Sequence, residues 1–153
     1  MDVYHDTVRL RKCFQYSAEQ LFAAYLDPAL RQEWAAPNDD SAVEIVHSNV
    51  RTGGTEETRC GTKGDLKYRT KVNYHLVQAN QLITFTESLF KKDSILSVAA
   101  ITFEFRRLDE GAELILTDQI TSFVGKDMID GHRQGFTAAL VNLEKQLVST
   151  IAK

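Results

Sequence analysis

No apolar run in this sequence approaches the roughly 20 residues that a membrane-spanning helix needs. Met1 is followed by Asp2, Val3, Tyr4 and His5, with no basic segment leading into an apolar one, so a secretory leader is not expected. Cysteine is scarce. Cys13 and Cys60 have no Cys or His neighbour at metal-ligand spacing, which fits a reducing cytosol and argues against a zinc site; sequence alone leaves a disulfide between them open. No long run carries one sign of charge, and the net charge of −3 argues against a nucleic-acid partner, which favours basic patches. There is no phosphate-cradling glycine loop, no G-x-S-x-G nucleophile turn, no internal repeat, no low-complexity tract and no linker. These absences exclude whole classes of function, yet none bears on the binding of an uncharged small molecule.

What is present is a chain of 153 residues, a length that suits one domain with a real core, with 43% apolar and 25% charged residues. Its last stretch organises the rest. Ile129, Phe136, Leu140, Leu143, Leu147 and Ile151 recur at helical spacing, with His132 on the same stripe. A helix over 129–151 would be roughly 35 Å long. One such helix cannot hide its own stripe and needs a broad apolar surface to lie on.

The remainder reads as that surface. Residues 4–16 form a first strand, with Val8, Leu10 and Phe14 inward and Arg9 and Arg11 between them. Ser17 followed by Gln20 three residues on is a capping box, and Tyr16 with Leu21 sits where a hydrophobic staple would. Asp27-Pro28 ends that helix and starts a second, which puts Leu30 and Trp34 on one face. Strands follow over 43–47, 55–60, 66–76, 82–90, around Ile101–Phe105 and over 112–121, separated by short turns such as Arg51-Thr52-Gly53-Gly54 and Asp109-Glu110-Gly111. Short strands on short turns favour an antiparallel meander. The expected class is α+β: about seven antiparallel strands, two short helices after the first strand, and a long C-terminal helix, all in a single domain over residues 1–153.

Order and motifs together resemble the SRPBCC superfamily, the START-like or birch-pollen-allergen-like helix-grip fold. Within it, the branch resembled is that of the activator of heat shock protein 90 ATPase. The resemblance is carried by Ser17-Ala18-Glu19-Gln20-Leu21-Phe22 with Tyr25, Asp27-Pro28 and Trp34, by Gly53-Gly54-Thr55, and by Gly131-His132 through Gly135-Phe136 with Leu140, Leu143 and Leu147. The chain departs from the family pattern in two places. Trp34 is followed by Ala35-Ala36-Pro37 rather than Gly-Pro, and Phe136 stands where the family usually has Trp. The resemblance implies a curved sheet gripping the long helix, with a cavity between them that holds lipids, polyketides, hormones or other apolar ligands in different members. Some members are enzymes, some carriers or sensors, and some chaperone partners, so fold alone does not choose.

Three groups of residues are candidates for function. His132 shares the apolar stripe; a neutral imidazole there can bond a ligand or act as a base, or simply bond a strand carbonyl at the helix end. No carboxylate partner for it is visible in the local sequence. The aromatic set of Phe22, Tyr25, Trp34, Tyr68, Tyr74, Phe85, Phe103, Phe105 and Phe136 would suit either a cavity lining or an ordinary core, with Tyr68, Tyr74 and Trp34 favoured as lining because their polar atoms need partners if buried. Asp118 falls in phase with Leu114, Leu116 and Ile120, so it points inward unless a bulge intervenes, and a buried carboxyl can serve as a base or hold a polar ligand group. Arg69, Lys71 and His75 form an outward row, read as a solvated face or a docking surface.

The expected site therefore comprises Trp34, Tyr68, Tyr74, Phe103, Phe105, Asp118, His132 and Phe136. The expected function is non-enzymatic binding of an apolar or aromatic, lipid- or polyketide-like molecule. No cofactor or metal is implied, nor a membrane or nucleic-acid partner, and the expected compartment is the cytoplasm. A chaperone-partner module stands second: the family's full co-chaperone carries an additional N-terminal domain not found in this sequence. A cyclase- or hydrolase-like enzyme using Asp118 or His132 stands third. Dimerisation occurs in the superfamily, and the sequence displays no interface for it.

Overall fold

The computed structural model describes residues 1–151. Strand β1 (Tyr4–Phe14) is followed by helices α1 (Ala18–Leu26) and α2 (Pro28–Ala35). Then come strands β2 (Ser41–Ser48), β3 (Thr55–Thr62), β4 (Asp65–Gln78), β5 (Leu82–Lys91), β6 (Ser94–Arg107) and β7 (Ala112–Ser122), and finally helix α3 (Asp127–Ile151). The seven strands make one antiparallel sheet in the order β1-β7-β6-β5-β4-β3-β2. The chain thus meanders from β2 to β7, and β1 adds to the far side of β7. Its two edges, β1 and β2, are joined by the pair of short helices.

Local chemistry sets the helix starts. Ser17 Oγ accepts from the Gln20 backbone N–H at 3.1 Å, and Gln20 Oε1 accepts from the Ser17 N–H at 2.9 Å, which completes the capping box. Asp27 ends α1 and caps α2, accepting from the N–H groups of Ala29 and Leu30, with Pro28 in the first turn where its missing N–H costs nothing. The first strand stops at Phe14, two residues short of the expected end, because Gly111 closes against it. A Cβ at Gly111 would lie 1.9 Å from the Phe14 carbonyl oxygen.

Irregularities bend the sheet on one side only. Register shifts occur at Ile45/His47, Cys60/Thr62, Tyr74/Leu76 and Leu89/Phe90, all within β2–β6, whereas the β1–β7 and β7–β6 pairings run without interruption. Bulges add twist and curvature. The half with uninterrupted register carries the dry core: Val8, Ile101, Leu114 and Leu116 from the strands and Leu140, Leu143 and Leu147 from α3 belong to one buried cluster. The bent half curves away from α3 and leaves space. Ile151, counted in the apolar stripe, is exposed, since the helix end carries it clear of the core. Alpha-2 is tied across the gap on all sides: Gln146 and Asn142 of α3 donate to the carbonyls of Leu30 and Ala36, and Gln32 accepts from the Ile45 N–H on β2.

Candidate functional site

The space left by the bent half is a cavity of about 290 Å³, partly open to solvent. Its floor is the concave face of β3–β6, through Thr58, Thr70, Phe85 and Phe103. One wall is α2 and the segment after it, with Trp34, Ala35 and Pro37; the N-terminal half of α3 supplies the roof, with His132, Gly135, Phe136 and Ala139. Val43 and Ile45 of the edge strand β2 close the remaining side. Aromatic rings carry much of this surface. Phe103 lies 6.3 Å from Phe136, 6.2 Å from Phe85 and 5.2 Å from Tyr25, centroid to centroid, all tilted or edge-on as ring quadrupoles prefer.

Two polar groups sit at this cavity. The first is a buried ion pair on the α2 side. Arg31 binds Glu56 through both terminal nitrogens, and also donates to Tyr74 Oη at 3.2 Å and Ser48 Oγ at 3.3 Å. Ser48 and Tyr74 in turn donate to Glu56 Oε1, at 2.6 and 3.2 Å, and the Tyr25 and Tyr74 hydroxyls share a 3.0 Å bond. The guanidinium lies 4.5 Å from the Tyr25 ring centroid. Arg31 is 6% exposed and Glu56 5%. A charge pair removed from water to this degree survives only with such supporting bonds. Burial pushes the Tyr74 phenol up to about 12, partly opposed by the guanidinium, and pushes that of Tyr25 well above its ordinary value.

The second group lies under α3. Asp118 is completely buried, and its Oδ2 meets His132 Nδ1 at 2.7 Å. The other oxygen, Oδ1, has no hydrogen-bond partner among the described residues. Glu87 of β5 lines the same cavity, and no hydrogen bond to its side chain occurs among the described residues. Burial raises the Glu87 carboxyl to about 7; Asp118 and Glu56 raise it further, while His132 opposes them. For His132, burial pulls down, but the bond to Asp118 and the charges of Asp118 and Glu87 outweigh it, so its pKa stands above the ordinary value. Cys60, also on the lining, is pushed up to about 11 by burial and by Glu87, which makes it a poor nucleophile. With Nδ1 held by Asp118, the imidazole presents Nε2 as its remaining hydrogen-bonding atom. That is the geometry of an oriented general base or of a ligand hydrogen bond.

The structure brings Trp34, Phe103, His132 and Phe136 together on the lining. Tyr74 and Asp118 stand directly behind it, each bonded to a lining residue. The partner missing from the sequence around His132 is thus Asp118 itself, 14 residues earlier on a neighbouring element. Two expected residues do not join the lining. Phe105 is buried against Phe22 of α1, 5.4 Å between centroids, one layer away in the dry core. Tyr68 sits half-buried near the start of β4 beneath Lys91. Trp34 uses its Nε1 to bond the Ala24 carbonyl, at 3.2 Å, so only its apolar surface serves the cavity. Residues that the sequence reading passed over are Arg31, Glu56 and Glu87. Glu87 carried the same signal as Asp118: it occupies the inward phase of Ile83, Phe85 and Leu89. Arg31 sits one helical turn before Trp34 and so shares its face. Arg69 and Lys71 lie over Phe90, and His75 bonds Thr86, a solvated surface row.

Among the described residues, no group of three His, Cys, Asp or Glu side chains is placed to hold a metal ion, and no helix is long and apolar enough to cross a membrane. Residues 15–148 match the family model described as Activator of Hsp90 ATPase homolog 1-like protein. No curated protein matches the chain. Similar solved structures include the Mll3558 protein from Rhizobium loti, 24% identical with a TM-score of 0.84, covering 96% of this chain and 100% of that one. An uncharacterized protein from Rhizobium leguminosarum is 20% identical with a TM-score of 0.81, covering 94% of both chains. Protein Ms6760 from Mycobacterium smegmatis is 18% identical with a TM-score of 0.76, covering 98% of both. At these identities the likeness establishes the helix-grip fold and nothing finer.

Proposed function

This chain belongs to the Activator of Hsp90 ATPase homolog 1-like family, with the helix-grip fold of the SRPBCC superfamily, and from that premise we propose that it binds a small, largely apolar molecule in the cavity between its sheet, α2 and α3. The observation that supports this most is the lining itself: aromatic rings on floor, wall and roof, with a few buried polar groups converging on them. Ligand sites of proteins have this make-up, in volumes of about 300–1,000 Å³. A volume of about 290 Å³ is at the small end and favours a compact ring system over a long acyl chain or a sterol. The test is a thermal-shift screen of compact aromatic and alicyclic compounds. A ligand at 100 times its Kd adds about 2.7 kcal/mol to stability and raises Tm by several degrees. Absence of any shift across the screen would overturn the reading.

Family membership also supports a second reading, as a partner of the heat shock protein 90 ATPase. Stimulation of that ATPase by the purified chain, insensitive to blocking the cavity, is the result that would favour it over ligand binding.

A further inference from the structure

We infer that the molecule held in the cavity carries a positive charge: a protonated amine on a compact aromatic or alicyclic body. This rests on the binding reading above and specifies its ligand class.

Hydrogen-bonding capacity left unspent distinguishes the acidic from the basic groups of the cavity. Arg31 and His132 are the basic side chains on the lining. Arg31 has both terminal nitrogens committed to Glu56, Tyr74 and Ser48, and keeps only its Nε, a single buried donor without a partner among the described residues. His132 spends Nδ1 on Asp118. Neither offers an open cationic fork, so a ligand carboxylate or phosphate would find no bidentate partner. The acidic side is the reverse. Glu87 faces the cavity with no donor from a described residue, and the completely buried Asp118 is compensated through a single contact, its Oδ1 unmatched.

Charge balance points the same way. Arg31 and Glu56 cancel each other. Asp118 and Glu87 then stand against one imidazole, so the end of the cavity under α3 lacks a cation when its carboxyl groups are ionised. An ammonium supplies the missing charge, and its N–H groups supply donors to Glu87, the carboxylate of the pair that lies on the lining. Aromatic rings stand beside this end, Phe136 at 6.2 Å from His132 and Phe103 at 6.3 Å from Phe136, and a π face attracts a cation and not an anion. The groups facing Glu87 from other elements are Glu56 and Cys60 on β3, Asp118 on β7 and His132 on α3; its neighbours across the ladder, Val72 and Ala99, are apolar. Burial and the surrounding carboxylates hold part of the Glu87 population protonated near neutrality, so capture of a cation is coupled to release of a proton.

The experiment uses matched probes on the wild-type chain. Indole, naphthalene and cyclohexane bodies each carry an ethylammonium, a carboxylate or an ethyl group, and affinities are read by titration calorimetry at pH 7 in two buffers of different ionisation enthalpy. The ammonium form is expected to bind about tenfold or more tightly than the ethyl form of the same body. The carboxylate form should bind more weakly than either, and the ammonium form alone should release protons. E87Q should remove most of the ammonium preference over the ethyl form of the same body, together with the proton release. If ethyl forms bind as well as ammonium forms, the charge inference is wrong and the cavity reading stands. If no body binds in any form, both are wrong. The wild-type comparison needs no variant, so a folding defect in E87Q would not blunt the test.

Discussion

Glu87 shows at the level of one residue what a site of this kind costs. Its carboxyl is raised from 4.5 to about 7, chiefly by burial. The folded state therefore holds this proton more tightly than the unfolded state does. The associated stability is fully present below about pH 4.5 and is lost as pH rises through about 7. His132 acts in the same direction: its raised pKa gives stability that is present below the ordinary value of 6.5 and lost as pH climbs through the folded-state value. The protein should be less stable at pH 8 than at pH 5. In Glu87→Gln that decline should flatten, with a gain of about 1–3 kcal/mol over the wild type at pH 8 and little change at pH 5. Urea unfolding at the two pH values measures it; equal gains at both would contradict the assignment. Arg31 is the contrasting residue. Its charge is compensated by Glu56 within a hydrogen-bonded set that joins α2, β3 and β4, and both terminal nitrogens are taken up there.

At the scale of elements, the two ends of α3 do different work. The C-terminal half packs Leu140, Leu143 and Leu147 onto the regular strands, while the N-terminal half spans the cavity and contains Gly131 and Gly135. Glycine in a helix interior weakens it relative to alanine. A Cβ at Gly131 meets no atom within 4 Å, so Gly131→Ala should stabilise the protein by about 0.5–1 kcal/mol. The same substitution in the β2–β3 turn should have the opposite sign. At Gly54 an added Cβ would lie 1.9 Å from the Asn49 carbonyl oxygen, so Gly54→Ala should cost more than about 1 kcal/mol. Thermal unfolding of the two variants side by side checks both signs.

Across the whole molecule, the half of the sheet with uninterrupted register carries the dry core, and the half with register shifts floors the cavity. Filling the cavity should separate the two. Gly135 lines the cavity with open space around its missing side chain, so Gly135→Leu gains helix propensity and occupies that space. The unliganded Tm is expected to hold or rise, and the ligand-induced shift proposed for the wild type to be absent. A retained shift would place binding elsewhere on the molecule.

Much of the fold lay in the sequence because its signals are local. The capping box at Ser17 and Gln20, the Asp27-Pro28 junction and the inward phase of Asp118 each depend on residues within a few positions of one another, and a period of two or 3.6 survives whatever the chain packs against. The tertiary structure decided the pairings. That His132 belongs to Asp118, that Arg31 and Glu56 neutralise each other, and that Glu87 is left facing open space are facts about elements distant in sequence and joined by the bend of the sheet. Bulges fix that bend, and a bulge depends on the partner strand as much as on its own residues. Phe105 goes to the dry core beside Phe22 of α1, and Phe103, two residues away on the same face, goes to the cavity floor. Alternation assigns a side chain to a face of the sheet; which layer lies against that face is set only when the helices close over it.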